Sequence, residues 1–294
     1  ASAAGSGASC PKAPEVSEVD PADGPRGVTA VGHDLVDLTR PRARDRAGDV
    51  RLLRRVLTET ERARVAGADP KGADRVLWAF WAAKEAAFKV HTQLRGSPPT
   101  FVHADYRVHG APPHEPGSHG MVVVAWEGGG CRVAVTQQRE TVQAVAAGDG
   151  DPAGPGTEPG VVPLSDDGLR LPTPSLPAGH LLVAETLPTK DAGGRWGQDE
   201  AELRPRFTDT EWDAVHAPAS AWARLGVRRL ASALLEIAEG ELAVVCAPGV
   251  AGRRPPHLEH RGSRHPASVS FTHDGGHLGW SVLLPPSPPT SETR

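Results

Sequence analysis

"WAAKEAAFK", residues 81–89, is the stretch on which the reading of this chain turns. It lies inside the strongest helical pattern, 74–91, where Leu77, Phe80 and Phe88 form an apolar stripe and Gly96, Pro98 and Pro99 follow the end. Trp81, Glu85 and Lys89 recur every four residues and share one side, whereas Lys84 falls in the apolar stripe. On an exposed face Glu85 and Lys89 are an ordinary i,i+4 pair worth about 0.2–0.5 kcal/mol. Lys84 is less ordinary. A lysine in an apolar stripe must snorkel to water or meet an anion, because burying it unpaired is costly.

Upstream, "GVTAVGHDLVDL" (27–38) reads as a strand with Gly32, Asp34 and Val36 on one face and Val31, His33 and Leu35 on the other. Gly32 lets a ligand or another backbone approach closely beside Asp34. Taken alone, Asp34 is equally well a strand-end aspartate bonded to a local turn. Residues 51–67 read as a helix, with Thr58 an N-cap and Glu61 completing a capping box. Downstream, 121–127, 131–137 and 140–147 read as strands, the first two joined by a glycine turn at 128–130.

Composition shifts at "AGDGDPAGPGTEPG" (147–160), which reads as a linker. Beyond it come a strand at 179–186, a helix start at 207–215, a long helix at 219–240 and a strand at 241–248. A basic, Pro-rich loop runs to Pro266, and two strands surround an Asp-Gly-Gly turn within 267–284. Without regular βαβ alternation, the fold class is α+β, in two parts of similar size. The expected organisation is a linker at 1–26, a lobe at 27–147, a linker at 148–178, a lobe at 179–284 and a tail at 285–294.

Bulk properties exclude several classes. With 294 residues, net charge −4 and a pI near 6.4, there is no electrostatic reason to expect nucleic acid or an acidic membrane. No apolar run approaches the roughly 18–20 residues of a membrane span, and no signal-peptide pattern opens the chain. Cys10, Cys131 and Cys246 are widely spaced, match no zinc spacing and suit a reducing compartment, so a cytoplasmic location is expected. The chain starts at Ala1 and its one methionine is Met121. That suggests a piece processed or cut from something longer.

One carboxylate on a strand and one on a helix, with ammonium groups beside the second, suit a hard cation and a phosphate together. No P-loop or G-x-G-x-x-G fingerprint is present. "VGHD" (31–34) followed by "WAAKEAAFK" resembles the signature of the 4′-phosphopantetheinyl transferases, a hydrophobic-Gly-x-Asp and then W-x-x-K-E-[AS]-x-x-K. "LLRRVLTETERARV" (52–65) resembles the segment that family carries between them. "VSFTHDGG" (269–276, with Ser268 before it) resembles its Ser/Thr-His motif, and "GRRPP" (252–256) more loosely its Gly-Lys-Pro stretch. "FTDTEW" at 207–212 with the helix to 235 resembles the helical region of the two-lobed members. The likeness covers most of 27–147 and 207–284.

Two departures stand out. The His-bearing lobe comes second here, whereas it comes first in the two-lobed members. Val36 stands where many of those members have a third acidic ligand, so water completes the metal shell, as in the small trimeric holo-acyl-carrier-protein synthases.

The resemblance implies two pseudo-symmetric lobes, each with a small antiparallel or mixed sheet and a long helix. It implies transfer of 4′-phosphopantetheine from coenzyme A to a serine of an acyl or peptidyl carrier domain, releasing 3′,5′-ADP. Mg²⁺, for which Mn²⁺ can substitute, is expected on Asp34 and Glu85, with Lys89 assisting and Glu85, or a water it orients, as base. Thr272, His273, Lys84, Lys89, Arg253, Arg254 and Arg224 are the expected coenzyme A contacts. The lobe order and chain ends suggest an integrated C-terminal domain of a polyketide synthase. The rival is a non-catalytic module that docks coenzyme A or a carrier within a larger synthase.

Overall fold

A computed structural model describes residues 30–150, 169–171, 173–174, 176, 180–249 and 252–286. The expected linker at 1–26 and residues 287–294 of the tail lie outside the described residues, as does most of the linker at 148–178. The first lobe runs β1 (Ala30–Asp37), α1 (Val50–Val56), α2 (Glu59–Gly67), α3 (Ala73–Arg95), β2 (Arg107–His109), β3 (His119–Trp126), β4 (Gly129–Gln137) and β5 (Thr141–Gly150). The second runs β6 (Leu169–Arg170), β7 (Leu181–Pro188), α4 (Thr189–Trp196), α5 (Glu200–Leu203), α6 (Asp209–Trp212), α7 (Pro218–Leu235), β8 (Leu242–Val245), β9 (Pro248–Gly249), β10 (Gly252–Arg253), β11 (His257–His260), β12 (Ser263–Arg264), β13 (Ser268–Asp274) and β14 (His277–Leu284). The class is α+β, as expected.

In the first lobe five antiparallel strands lie in the order β1-β5-β4-β3-β2. α3 crosses this sheet and buries Leu77, Phe80, Ala83 and Val90 against Val122, Val124, Val133 and Val135. It ends at Gly96, whose φ of 70° is the left-handed conformation that glycine adopts without a steric penalty. The single helix expected over 51–67 is two. Thr58, extended at ψ 168°, caps α2 with the expected box to Glu61, and a residue in that conformation cannot also continue α1.

Among the described residues the second lobe has three sheets, β13-β14-β7-β6, β12-β11-β8 and the short pair β10-β9. The loop expected before Pro266 instead contains the hairpin β11–β12, turned by Arg261 and Gly262 at φ 49° and 77°. Its polar strands hid it in the sequence. β6 and Leu171 likewise give structure to part of the expected linker, because Leu171 is buried against Leu182, Ala184 and Val31.

The lobes repeat one device. Thr208 and Glu211 form a capping box like that of Thr58 and Glu61. Glu61 Oε1 accepts from Val108 N of β2 at 2.8 Å, and Glu211 Oε1 from Val244 N of β8 at 2.6 Å. Each buried glutamate faces a cation of the long helix. Lys84 stands 2.7 Å from Glu61, and Arg228 stands 3.8 Å from Glu211.

The lobes meet along β1, which is buried over its whole length. Val31, Val145 and Ala147 of the first lobe pack with Leu182, Ala184 and Leu283 of the second. Polar contacts set the register: Asp37 N donates to Asp274 Oδ2 at 3.0 Å, and Gly276 N to Asp37 Oδ2 at 2.8 Å. Arg40 and Arg42 both pair with Asp274 Oδ1. Gln93 accepts from Val31 N and donates to Val269 O, bridging α3 to β13.

Candidate active site

Gly32 is needed because α3 passes against β1: a Cβ there would lie 1.9 Å from Ala86 O. The close approach allowed by Gly32 is therefore that of the helix backbone, and the alanines of the quoted stretch make it possible. It brings Asp34, two residues along β1, onto Lys89. Lys89 Nζ donates to Asp34 Oδ1 at 2.9 Å and also to His33 O. From the other lobe, Thr272 Oγ1 donates to the same Oδ1 at 3.3 Å. Glu85 lies close enough to repel the Asp34 charge. Burial, reinforced by Glu85 and opposed by Lys89 and Thr272, pushes the Asp34 carboxyl up to about 6.

Asp34, Glu85, Lys89 and Thr272 are thus brought together, with His273 beside them on β13. His273 is exposed. Partial desolvation, with the charges of Lys89 and Arg224, holds its imidazole below the ordinary range, and Asp274 pulls the other way. A site that feels two cations suits an anion.

Lys84 is a correction. It is 0 % exposed, and its ammonium donates to Glu61 Oε2 at 2.7 Å, Val56 O at 2.9 Å and His103 O at 3.1 Å. The anion it meets is Glu61, so it has no free access to a phosphate. Arg224 is corrected in the same way. It is 3 % exposed, donates to Ser220 O and Ala214 O, and stacks 4.8 Å over Phe271, while its charge reaches His273. Arg254 is exposed and its backbone N–H donates to Ala247 O; among the described residues no hydrogen bond or ion pair joins it to Thr272 or His273. Arg253 lies in β10, and its side chain is outside the described residues.

His103 was missed in the sequence. Its Nε2 stands 3.1 Å from Glu85 Oε1, and its ring lies between Trp81 and Phe101, at centroid distances of 4.3 and 4.1 Å. No spacing in "TFVHADY" (100–106) points to α3; only the histidine itself was available as a signal. The Asp37–Asp274 lock was missed because Asp274 reads as a turn residue.

The donor set fits a hard divalent cation. Among the described residues no three His, Cys, Asp or Glu side chains form a ready cage. Asp34 and Glu85 nevertheless put two carboxylates in electrostatic contact, and their described hydrogen bonds end on Oδ1 and Oε1. Asp34 Oδ2 and Glu85 Oε2 take part in none of the described hydrogen bonds, and Mg²⁺ takes one or two carboxylates and keeps waters. The second lobe is different. With Arg228 in the place of Lys84, Arg229 stands where Glu85 does, and it pairs with Glu185 at 2.7 Å. Its guanidinium already neutralises the carboxylate there.

Residues 30–115 match the 4′-phosphopantetheinyl transferase superfamily. Among solved structures, the chain is similar to the acyl carrier protein synthase of Mycobacterium tuberculosis, at 25% identity over 40% of this chain and 94% of that one, with a TM-score of 0.27. It is also similar to a holo-(acyl-carrier-protein) synthase from Bacillus anthracis in complex with CoA (3′,5′-ADP), at 18% identity over 40% of this chain and 93% of that one, with a TM-score of 0.29. No curated protein matches. The matched segment holds Asp34, Glu85 and Lys89 with both motifs that carry them.

Proposed function

We propose that this chain transfers 4′-phosphopantetheine from coenzyme A to a serine hydroxyl of a carrier domain, releasing 3′,5′-ADP, with Mg²⁺ on Asp34 and Glu85. The observation that carries the reading is the family match over 30–115, which spans both acidic motifs. Mg²⁺, when bound, supplies charge neutralisation of the pyrophosphate. Glu85 accepts the serine proton, directly or through a water it orients, and is the more accessible of the two carboxylates. Lys89 is 28 % exposed and brings a positive charge to the phosphate beside Asp34. His273 and Thr272 of the second lobe face the 3′-phosphate, within the field of Lys89 and Arg224. Positioning and charge neutralisation suffice for phosphoryl-type transfer.

The carrier we propose is a polyketide-synthase type domain and the location we propose is cytoplasmic. Among the described residues no helix is long and apolar enough to cross a membrane. The test is incubation with coenzyme A, Mg²⁺ and a panel of apo carrier domains, read by mass. A pantetheine mass increase on at least one carrier is expected, largest on a polyketide-synthase domain. No increase on any carrier that a control transferase modifies overturns the reading.

A further inference from the structure

We propose that His103 is a positioning residue that holds the Glu85 carboxylate in its cation-binding orientation. This rests on the reading that Asp34 and Glu85 bind a divalent cation. A carboxylate only accepts hydrogen bonds, so at 3.1 Å His103 Nε2 must carry the proton and donate to Glu85 Oε1. That bond fixes one carboxylate oxygen and leaves Oε2 outside the described hydrogen bonds, beside an Asp34 whose charge Glu85 already feels.

His103 is itself held from three directions. Its ring is confined between Trp81 and Phe101. Its backbone oxygen accepts from the buried Lys84 Nζ at 3.1 Å. Lys84 is anchored in turn on Glu61 and Val56 O. The adjacent Lys84 and Glu85 of α3 therefore grip the same residue, one by its main chain and the other by its ring. A partly exposed glutamate on a helix surface otherwise samples several rotamers, and two carboxylates in electrostatic contact repel each other away from the geometry a cation needs. An outer-shell donor that restrains one of them keeps the pair assembled before the cation arrives. The arrangement also explains why Lys84, which has no access to a phosphate, sits beside the catalytic glutamate.

The test is Mn²⁺ binding to the full chain, without substrates, followed by electron paramagnetic resonance. His103→Phe keeps the ring stack and removes the donor; His103→Gln keeps a donor. His103→Phe is expected to weaken Mn²⁺ about 10–100-fold, with His103→Gln recovering most of the loss. In transfer assays the Mg²⁺ concentration for half-maximal rate should rise in His103→Phe while kcat at saturating Mg²⁺ moves less. Should that variant not fold, ¹⁵N-histidine NMR of the unsubstituted chain reads the same contact. His103 Nε2 should be protonated and shift on addition of Mg²⁺. Unchanged Mn²⁺ affinity in a folded His103→Phe, or a resonance indifferent to Mg²⁺, overturns the proposal. Loss of Mn²⁺ by Glu85→Gln with full retention by His103→Phe overturns this inference alone. Full retention by Glu85→Gln overturns the cation reading beneath it.

Discussion

Thr272 Oγ1 donates to Asp34 Oδ1 at 3.3 Å, across 238 positions of sequence and from one lobe to the other. The same carboxylate receives Lys89 from its own lobe. Asp34 is therefore a point at which side chains of the two lobes meet. What matters is that β13 reaches β1, held there by the reciprocal bonds of Asp37 with Asp274 and Gly276.

Asp34→Ala and Glu85→Gln should each lower Mg²⁺-dependent transfer by about 100-fold or more, since charge stabilisation at the reacting phosphate is of that size. Circular dichroism should show an unchanged fold. Near-normal transfer by a folded Glu85→Gln protein would sink the assignment of that carboxylate.

His273→Ala should weaken coenzyme A by about 10-fold, the scale of one hydrogen bond to a charged group. The penalty should shrink with 3′-dephospho-coenzyme A, as isothermal titration can measure. An equal penalty for both ligands would place His273 away from the 3′-phosphate.

Lys84→Met should destabilise the fold by about 3–5 kcal/mol, because it strands the buried Glu61 charge. Urea unfolding measures this. At a temperature where the variant stays folded, coenzyme A affinity should match that of the unsubstituted protein. A selective loss of affinity at unchanged stability would restore Lys84 as a phosphate ligand.

His33 gives a pH dependence. Its ring is fully buried against Gly279, and burial, helped by the Lys89 charge, lowers its pKa from 6.5 to about 3. Between those values the unfolded chain binds a proton that the folded chain refuses, so this contribution is complete above pH 6.5 and is lost as the pH falls. Between pH 7.5 and 5 the loss is roughly 2 kcal/mol. Chemical denaturation of His33→Gln should show a shallower acid slope than the unsubstituted protein; parallel slopes would contradict the argument.

Residues 27–147 expressed alone should neither bind coenzyme A well nor transfer its arm. Separation exposes the β1 face that carries Val31 and His33 and removes Thr272 and His273 from the site. Activity in that fragment, for instance as a self-assembled trimer, would refute the composite site.

The sequence by itself determined the local elements and the chemistry they carry. The α3 stripe, the Thr58–Glu61 box, the glycine beside Asp34 and the spacing of Asp34 to Glu85 all follow from period, capping and residue type, which are properties of neighbours along the chain. It also showed that Lys84 had to snorkel or meet an anion. Only the tertiary structure decided which anion. Glu61 stands 23 positions upstream in a different helix, and nothing in either segment encodes that meeting. The same holds for His103 on Glu85 and for Asp274 on Asp37. These contacts depend on where separate elements come to rest against one another. That is set by the summed burial of many apolar side chains, and the polar partners are carried into place with them.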